Sequence, residues 1–464
     1  MLLVILSIAA ILRFHHLERR SIWLDEGMSI GMARLSFRGM FQASMHREIN
    51  MALYYLLLKP WLTIGRSEAW IRGLSVLFGC ATVIAVFWLG RRLFGIRAGL
   101  CAALLLAVNT IHIQYSQEAR GYALAGLLVT ASAISLVKAV EHRSGRGWAW
   151  YAIWSALAVY AHLYAMLVVI SQWIWLAASR TRRNQGFGAM RFVCYLLIPA
   201  ATAVLKIGPT PISWLPSLSR TTLVHTLVEF GGAGPIGLCL LLAASAIAVV
   251  SSLRSPGELR AATLLIAAWL ILPFLIVMIG STFHPMLIAR YMMVCVPGLV
   301  LLAGSGLARL PRSGTVGGLT LICGLSLWTA HRSPGLAFDD WRSATNFLLS
   351  HAGPGDAALF YTQPSRAAFD YYRWRDRWQA EYPTVVWPAH EEAWRNLGVE
   401  PLAEVLPGID LSHRRLWLVL AQCGAPDAPD FGSKALRAWI RPQYEPRSIH
   451  EFTGGIEVIE YEHR

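Results

Sequence analysis

Two adjacent carboxylates, Asp25 and Glu26, follow the first apolar segment of the chain within about ten residues. Ionisable side chains close to a bilayer are costly, and they are therefore candidates for a functional role. A partly desolvated carboxylate has a raised pKa, which suits a general base. Asp is also a favoured helix N-cap and acids suit a first helical turn, so capping of a helix that starts near Glu26 is the structural alternative.

Two arginines lie at junctions between apolar segments, Arg120 close to Glu118 and Arg290 beside Tyr291. The planar guanidinium group can bind a phosphate through two parallel hydrogen bonds. Arg and Tyr are also common anchors at membrane interfaces, and Glu118 would then be an ion-pair partner of Arg120.

The metal and nucleotide motifs that we searched for do not occur in the sequence. The histidines on the same side as the acids have no ligand spacing, and Cys423 is the single cysteine of the polar C-terminal region. No Walker or dinucleotide fingerprint is present. These histidines are His15, His16, His46, His112, His162 and His284.

The elements that must position these residues are membrane helices. The 464 residues are 55% hydrophobic and 15% charged, with a mean hydropathy of +0.47, values typical of a polytopic membrane protein. The net charge of +14 lies mostly between apolar segments, which argues against a nucleic-acid partner and for the positive-inside rule. The first apolar segment has no basic n-region or cleavage signal, so we expect it to be a retained span.

The charge-free gaps predict about eleven spans. We expect the first helix to continue to about Leu17 with Arg13 snorkelling. Leu53–Leu58 is too short to span and ends at Lys59-Pro60, which favours an interfacial or re-entrant helix. The apolar run 147–179 suits two spans that are broken near residues 160–164.

The loop charges predict the orientation. One alternating set of loops contains 13 arginines and two acids, Glu141 and Glu258, and is assigned to the cytoplasm. The other set contains Asp25, Glu118 and Arg290, which places the candidate residues together on the extracytoplasmic side. The first outer loop, about residues 18–67, is itself basic and departs from the rule.

The composition changes after about Arg332. Residues 333–464 are polar and aromatic-rich, and they predict a soluble α/β domain on the outer face, after a transmembrane domain of residues 1–332. The pattern predicts helices at 340–350 and 367–378 and strands at 357–361, 416–421 and 456–461.

The sequence resembles a known family at the residues described above. Leu24-Asp25-Glu26, the run Asn50 to Leu57, and Tyr115 to Tyr122 are similar to motifs of the GT-C fold membrane glycosyltransferases. The relevant branch contains the protein O-mannosyltransferase-like enzymes and the aminoarabinose transferases of lipid A. The similarity covers about residues 1–310. One departure is that Met51-Ala52 stands where the family usually has prolines, which leaves a site role for Lys59 open.

The resemblance implies an inverting transfer of a hexose or pentose from a polyprenyl-phosphate donor to a lipid, glycan or protein hydroxyl. Asp25 matches the catalytic acid and Glu26 its neighbour, whereas Arg120, Arg290 and Tyr291 would face the donor phosphate. Glu118, Tyr54, Tyr55 and His162 would support them. A divalent cation, Mg²⁺ or Mn²⁺, remains open, and a bacterial-type cell (inner) membrane is the expected location.

Two other classes of function remain at this point. The first is a transporter or flippase of a lipid-linked saccharide, although the gaps 73–90 and 291–308 contain no ionisable residue of the kind that transporters carry in mid-span. The second is a soluble binding module on a membrane anchor, for which about eleven spans are too many.

Overall fold

The computed structural model describes residues 1–208, 217–255, 257–332, 339–361, 365–380, 382–388, 406–421 and 432–464. Up to Arg332 the described chain is helical, with a short 3-10 helix at Tyr291–Cys295. The helices are α1 (Leu2–Phe14), α2 (Leu24–Arg34), α3 (Phe37–His46), α4 (Ala52–Ile64), α5 (Glu68–Phe94), α6 (Ile96–Val108), α7 (Thr110–Ser116), α8 (Tyr122–His142), α9 (Gly145–Ala161), α10 (Ala165–Ala177), α11 (Arg180–Leu196), α12 (Ile198–Ile207), α13 (Arg220–Gly231), α14 (Gly234–Leu253), α15 (Gly257–Gly280), α16 (Val296–Leu307) and α17 (Arg312–Arg332).

Five helices of the described chain, α5, α8, α14, α15 and α17, are long and apolar enough to cross a membrane. Two bent pairs raise this number to seven if each pair is one span: α6 with α7, bent by 62°, and α11 with α12, bent by 45°. Shorter apolar helices include α1, α4 and α10. The chain is therefore a multi-pass membrane protein, and the number of eleven spans stays a prediction.

At the bend between α6 and α7, side chains hydrogen-bond the backbone groups of the two helix ends. Asn109 caps α7 by accepting a hydrogen bond from His112 N at 3.0 Å. Arg13 donates to the Leu106 and Ala107 carbonyls at the end of α6, at 3.1 and 2.9 Å, and contacts His112 Nδ1 at 2.8 Å. The expectation that Arg13 snorkels was wrong, because the side chain is fully buried and satisfies carbonyls that the helix end leaves without partners. Helix α1 ends at Phe14 rather than at Leu17.

Helix α4 also differs from the prediction at its end. It does not stop at Lys59-Pro60 but continues through Pro60 to Ile64. It starts after Met51, whose φ of 66° lies in the left-handed region. Proline cannot adopt this φ, so the absence of proline at this position matches the backbone. The predicted break near residues 160–164 is confirmed by the interval between α9 and α10.

The C-terminal part of the chain is α/β. Helices α18 (Trp341–His351), α19 (Ser365–Arg375) and α20 (Ser433–Ile440) accompany strands β1 (Ala357–Tyr361), β2 (Thr384–Trp387), β3 (Arg415–Ala421), β4 (Tyr444–Phe452) and β5 (Ile456–His463). The sheet order is β2-β1-β3-β5-β4, with β1 parallel to β2 and β3, and β5 antiparallel to β3 and β4. The predicted helices and strands are confirmed, whereas β2, β4 and α20 were not predicted. The division at residue 332 stays a prediction, and Cys423 lies outside the described residues.

The sheet separates two apolar clusters. One face packs with α20 into a small core that includes Leu359, Leu418, Leu436 and Ile440. Residues of the other face and of α18 and α19 belong to the same buried cluster as the membrane helices. The α/β part is therefore packed onto the helical part, at the end of the bundle where α2 lies.

Candidate active site

Asp25 lies in the first turn of α2. The helix begins at Leu24, because the preceding Trp23 is extended with φ −102° and ψ 177°. Among the described side chains none caps this helix end, so capping by Asp25 of a helix that starts near Glu26 was the wrong alternative. The Asp25 carboxylate is 24% exposed and lies 3.7 Å from Arg290 Nη1 and 3.9 Å from Arg120 Nη2. Both contacts are longer than a direct charge-assisted hydrogen bond, so the carboxylate and the two guanidinium groups interact through their charges.

Arg120 is held by the elements around it. It lies in the turn between α7 and α8, where its Nη1 donates to Asp25 O and Ser29 Oγ, both at 3.3 Å. The Arg120 carbonyl accepts from Ser75 Oγ at 3.3 Å, and Ser75 hydrogen-bonds Tyr54 OH at 2.8 Å. Tyr54 therefore supports the arginine turn from behind, and we assign it a positioning role rather than contact with substrate.

Glu26 has a different environment from its neighbour. It is fully buried, and Arg72 donates to both of its carboxylate oxygens, from Nε at 2.8 Å and Nη2 at 2.6 Å. Oε1 also accepts from Ala119 N at 2.9 Å. Since both oxygens are occupied, this carboxylate supports α2 and the turn before Arg120, and it neither caps the helix nor faces a substrate. The prediction of a catalytic role for Glu26 finds no support in this geometry.

Two further acids, Glu118 and Glu48, interact electrostatically with Asp25 and have raised pKa values. Burial, with a smaller contribution from Glu26, raises the pKa of Glu118 to about 8, against the opposing effect of Arg290. Burial raises the pKa of Glu48 to about 7; Arg120 lowers it and Asp25 raises it. Sequence reasoning missed Glu48, although this acid lies two residues before the motif that starts at Asn50. A carboxyl with a pKa near neutrality can accept or donate a proton at physiological pH.

An aromatic cluster with one histidine borders the arginines. The His162 ring lies 5.2 Å from Tyr291 and 5.3 Å from Tyr122, and Tyr164 lies 5.1 Å from Tyr291. Burial and then the charges of Arg120 and Arg290 lower the pKa of His162 to about 3, so the ring is neutral. Tyr164 N donates to Nδ1 at 3.2 Å, which assigns the ring proton to Nε2. Nε2 has no hydrogen-bond partner among the described residues, and the same holds for Tyr122 OH.

The predicted site residues therefore divide into two groups. Asp25, Arg120, Arg290 and Tyr291 come together, and Glu118 and His162 interact electrostatically with them. Tyr55 is buried and interacts electrostatically with Glu48, Arg120 and Asp25, so it lies near the same group. Glu26 and Tyr54 lie behind these residues. Lys59 donates to backbone carbonyls of α2 and the following residue, Ala33 and Leu35, which gives it a structural contact.

The residues around Asp25 do not fit a divalent cation. No group of three His, Cys, Asp or Glu side chains in the described ranges is arranged to hold a metal ion. More directly, Arg290 Nη1 and Arg120 Nη2 lie 3.7 and 3.9 Å from Asp25 Oδ2, so two positive charges adjoin the carboxylate. Their positive charge would repel the cation and can itself compensate a phosphate.

Comparisons with known proteins concern the fold of this chain. The family model described as dolichyl-phosphate-mannose-protein mannosyltransferase matches residues 51–205. The structure of ArnT from Cupriavidus metallidurans in the apo state is similar to this chain with a TM-score of 0.66 and 13% identity, over 99% of this chain and 97% of ArnT. The chain has the GT-C fold of membrane glycosyltransferases. The structure of ArnT bound to undecaprenyl phosphate has a TM-score of 0.63, at the same identity and coverage.

A more distant structure extends the likeness. The archaeal oligosaccharyltransferase AglB from Archaeoglobus fulgidus, in complex with an inhibitory peptide and a dolichol-phosphate, has a TM-score of 0.52 and 10% identity. The match covers 80% of this chain and 63% of AglB. A search of curated proteins found no significant match. At these identities the structural likeness concerns the GT-C fold alone.

Proposed function

We propose that the protein transfers a sugar from a polyprenyl-phosphate donor to an acceptor hydroxyl. The observation that carries this proposal is the Asp25 carboxylate between Arg120 and Arg290, at 3.9 and 3.7 Å. The proposal is supported by the match to a mannosyltransferase family and by the fold shared with ArnT, which was solved with undecaprenyl phosphate. The transferred group is a hexose or a pentose, and the acceptor is a lipid, a glycan or a protein.

The arrangement assigns a role to each side chain. A hydroxyl is a weak nucleophile, and Asp25 takes its proton as the oxygen attacks the anomeric carbon. The bond between that carbon and the phosphate oxygen breaks, and one displacement inverts the anomeric centre. Arg120 and Arg290 stabilise the charge of the departing lipid phosphate, which is the role of cationic clamps at other phosphate sites.

The neutral ring of His162 adds a hydrogen-bond donor near this clamp. Its Nε2, which has no hydrogen-bond partner among the described residues, can donate to an oxygen of the phosphate or of the sugar. Glu118, which burial keeps protonated near neutral pH, holds a second proton close to the arginines without adding negative charge. The clamp therefore keeps its positive charge for the donor.

Transfer is tested in proteoliposomes that contain the wild-type protein and undecaprenyl-phosphate-linked sugars, one pentose and one hexose in separate reactions. We expect acceptor-dependent release of undecaprenyl phosphate, measured by mass spectrometry. Movement of the intact lipid-linked sugar across the bilayer without release would instead support the flippase alternative and contradict the proposal.

We further propose that the site and the α/β part face the extracytoplasmic side of a bacterial-type inner membrane. Two observations support this orientation. The loop charges assign the candidate residues to the outer side, and α2 packs against the α/β part in one buried cluster. Arg447→Cys in a cysteine-free background places a thiol on the exposed side of β4. Labelling by an impermeant maleimide in intact spheroplasts is expected, and protection there with labelling only after lysis would reverse the orientation.

A further inference from the structure

Helix α19 of the α/β part contacts α2 along its length. The two backbones lie close together at Gly27, where an added Cβ would lie 2.8 Å from Ala367 C and 2.9 Å from Ala368 N. Such distances are too short for any side chain, so the two backbones meet because position 27 is glycine. Gly27 is two residues from Asp25, and it therefore fixes how deep the first turn of α2 lies.

A second contact holds the residues before α2. Tyr372 of α19 is fully buried, and its hydroxyl accepts from Ile22 N at 2.8 Å and donates to Glu68 Oε1 at 2.9 Å. Ile22 lies two residues before the start of the helix at Leu24. One phenol thus connects the α/β part to the backbone at Ile22 and to the first turn of α5.

A third contact holds the far end of α2. The Trp374 ring contacts two guanidinium groups, with Arg34 Cζ at 5.0 Å and Arg66 Cζ at 4.6 Å from the ring centre. Arg34 is the last residue of α2. Since α19 contacts α2 before its start, in its first turn and at its end, the helix has little freedom to rotate or slide.

Glu68 connects these contacts to Glu26, the residue that follows Asp25. It is buried and accepts hydrogen bonds from Tyr372, Arg342 of α18 and Arg375. It also lies 4.0 Å from Arg72, which in turn binds both oxygens of Glu26. An unbroken set of charged and hydrogen-bonded groups therefore runs from the α/β part to the residue adjacent to Asp25.

We propose that the α/β part is a positioning element of the catalytic site, in which Tyr372 and the Gly27 contact set the place of Asp25 between Arg120 and Arg290. This inference rests on the proposed transfer function. The proposal means that the C-terminal region affects the rate of the chemical step, kcat. An accessory region, or one that only binds the acceptor, would leave kcat unchanged. A displacement of about 1 Å at a reacting group costs up to about 100-fold in rate.

The test uses the full-length protein with Tyr372→Phe and Gly27→Ala, each with a matched control. Tyr444→Phe removes a hydroxyl inside the α/β part whose single proton is shared between Leu411 O and His413 O, away from α2. Gly324→Ala adds a methyl group in α17 where an added Cβ has no neighbour within 4 Å in the described structure. We expect kcat to fall about 10- to 100-fold in the two test variants while KM for the donor stays within about twofold, and both controls to match the wild type.

An exchange measurement separates this proposal from the proposed function. Hydrogen–deuterium exchange of residues 22–34, measured without donor, is expected to rise in Tyr372→Phe and Gly27→Ala and to stay unchanged in the controls. This result does not require that the wild type transfers any sugar, so an inactive wild type contradicts the transfer function alone. If Gly27→Ala does not fold, Tyr372→Phe carries the test.

Three outcomes would overturn the positioning role. They are unchanged exchange in Tyr372→Phe, an equal rise in Tyr444→Phe, and raised exchange with the kcat of the wild type.

Discussion

Asp25 and Glu26 are neighbours in the chain, yet they belong to two ion clusters of opposite character. Asp25 is partly exposed, and its arginine contacts are 3.7 and 3.9 Å long. Glu26 is fully buried, and it accepts three hydrogen bonds of 2.6 to 2.9 Å. In the first cluster both arginine contacts are longer than a direct hydrogen bond, whereas in the second both oxygens of Glu26 are bound within the protein. Adjacent acids can therefore divide into one that reacts and one that positions it.

The largest expected effect that separates the two clusters is on the rate. Asp25→Asn removes the proton acceptor, and we expect kcat to fall by about 100- to 10,000-fold. The unfolding temperature should change little, because the arginine contacts of Asp25 are long. The measurement is the initial rate of undecaprenyl phosphate release, with thermal unfolding in detergent as its control. Full activity in Asp25→Asn would exclude this residue as the base.

The second effect is on stability and should appear at the other cluster. Glu26→Gln removes the carboxylate that binds the buried Arg72 directly and leaves Glu68 at 4.0 Å, so we expect a cost of about 3–5 kcal/mol, as for other buried ion pairs that lose one partner. The matched control is Glu445→Gln, which removes an exposed pair with Arg464 and should cost at most about 1 kcal/mol. Chemical denaturation in detergent measures both. Equal stability of the two variants would contradict the assignment of Glu26 to a structural cluster.

A smaller effect is expected from shortening the clamp. Arg120→Lys keeps the charge but loses the planar fork, so we expect kcat/KM for the donor to fall about 10- to 100-fold. Arg92→Lys, at an exposed pair with Glu141, is the control and should behave as the wild type. An effect on the acceptor KM alone would place Arg120 outside the phosphate subsite.

The smallest effect concerns pH and Glu118. Its ordinary pKa of 4.5 is raised by burial to about 8, so between these values the folded protein holds a proton that the unfolded chain releases. The contribution of this group to stability therefore decreases as the pH rises from about 4.5 to about 8. Over this range the unfolding temperature should decline less in Glu118→Gln than in the wild type. Identical pH profiles of the two proteins would show that Glu118 does not titrate there.

The sequence reveals the membrane class, most helix positions and four of the residues that meet at the site. These features depend on local composition, since apolar runs predict helices, and on motifs that include Asp25 and Arg120. The α/β elements were found where the apolar signal was strong, as in β1 and β3, whose residues are nearly all buried, and in β5. Strand β4 was missed because its residues are mostly exposed and polar, so the pattern contains little apolar signal.

The tertiary structure decided how adjacent and distant residues divide their roles. The sequence does not distinguish Asp25 from Glu26, because the difference arises from Arg72, which is 46 residues away in the chain. In the same way, Glu48 reaches the site and Arg13 is buried because of packing between remote helices. Composition sets which segments are apolar, but contacts between segments determine the charge, burial and partners of each ionisable group. Those contacts form when the chain folds, and local sequence alone does not specify them.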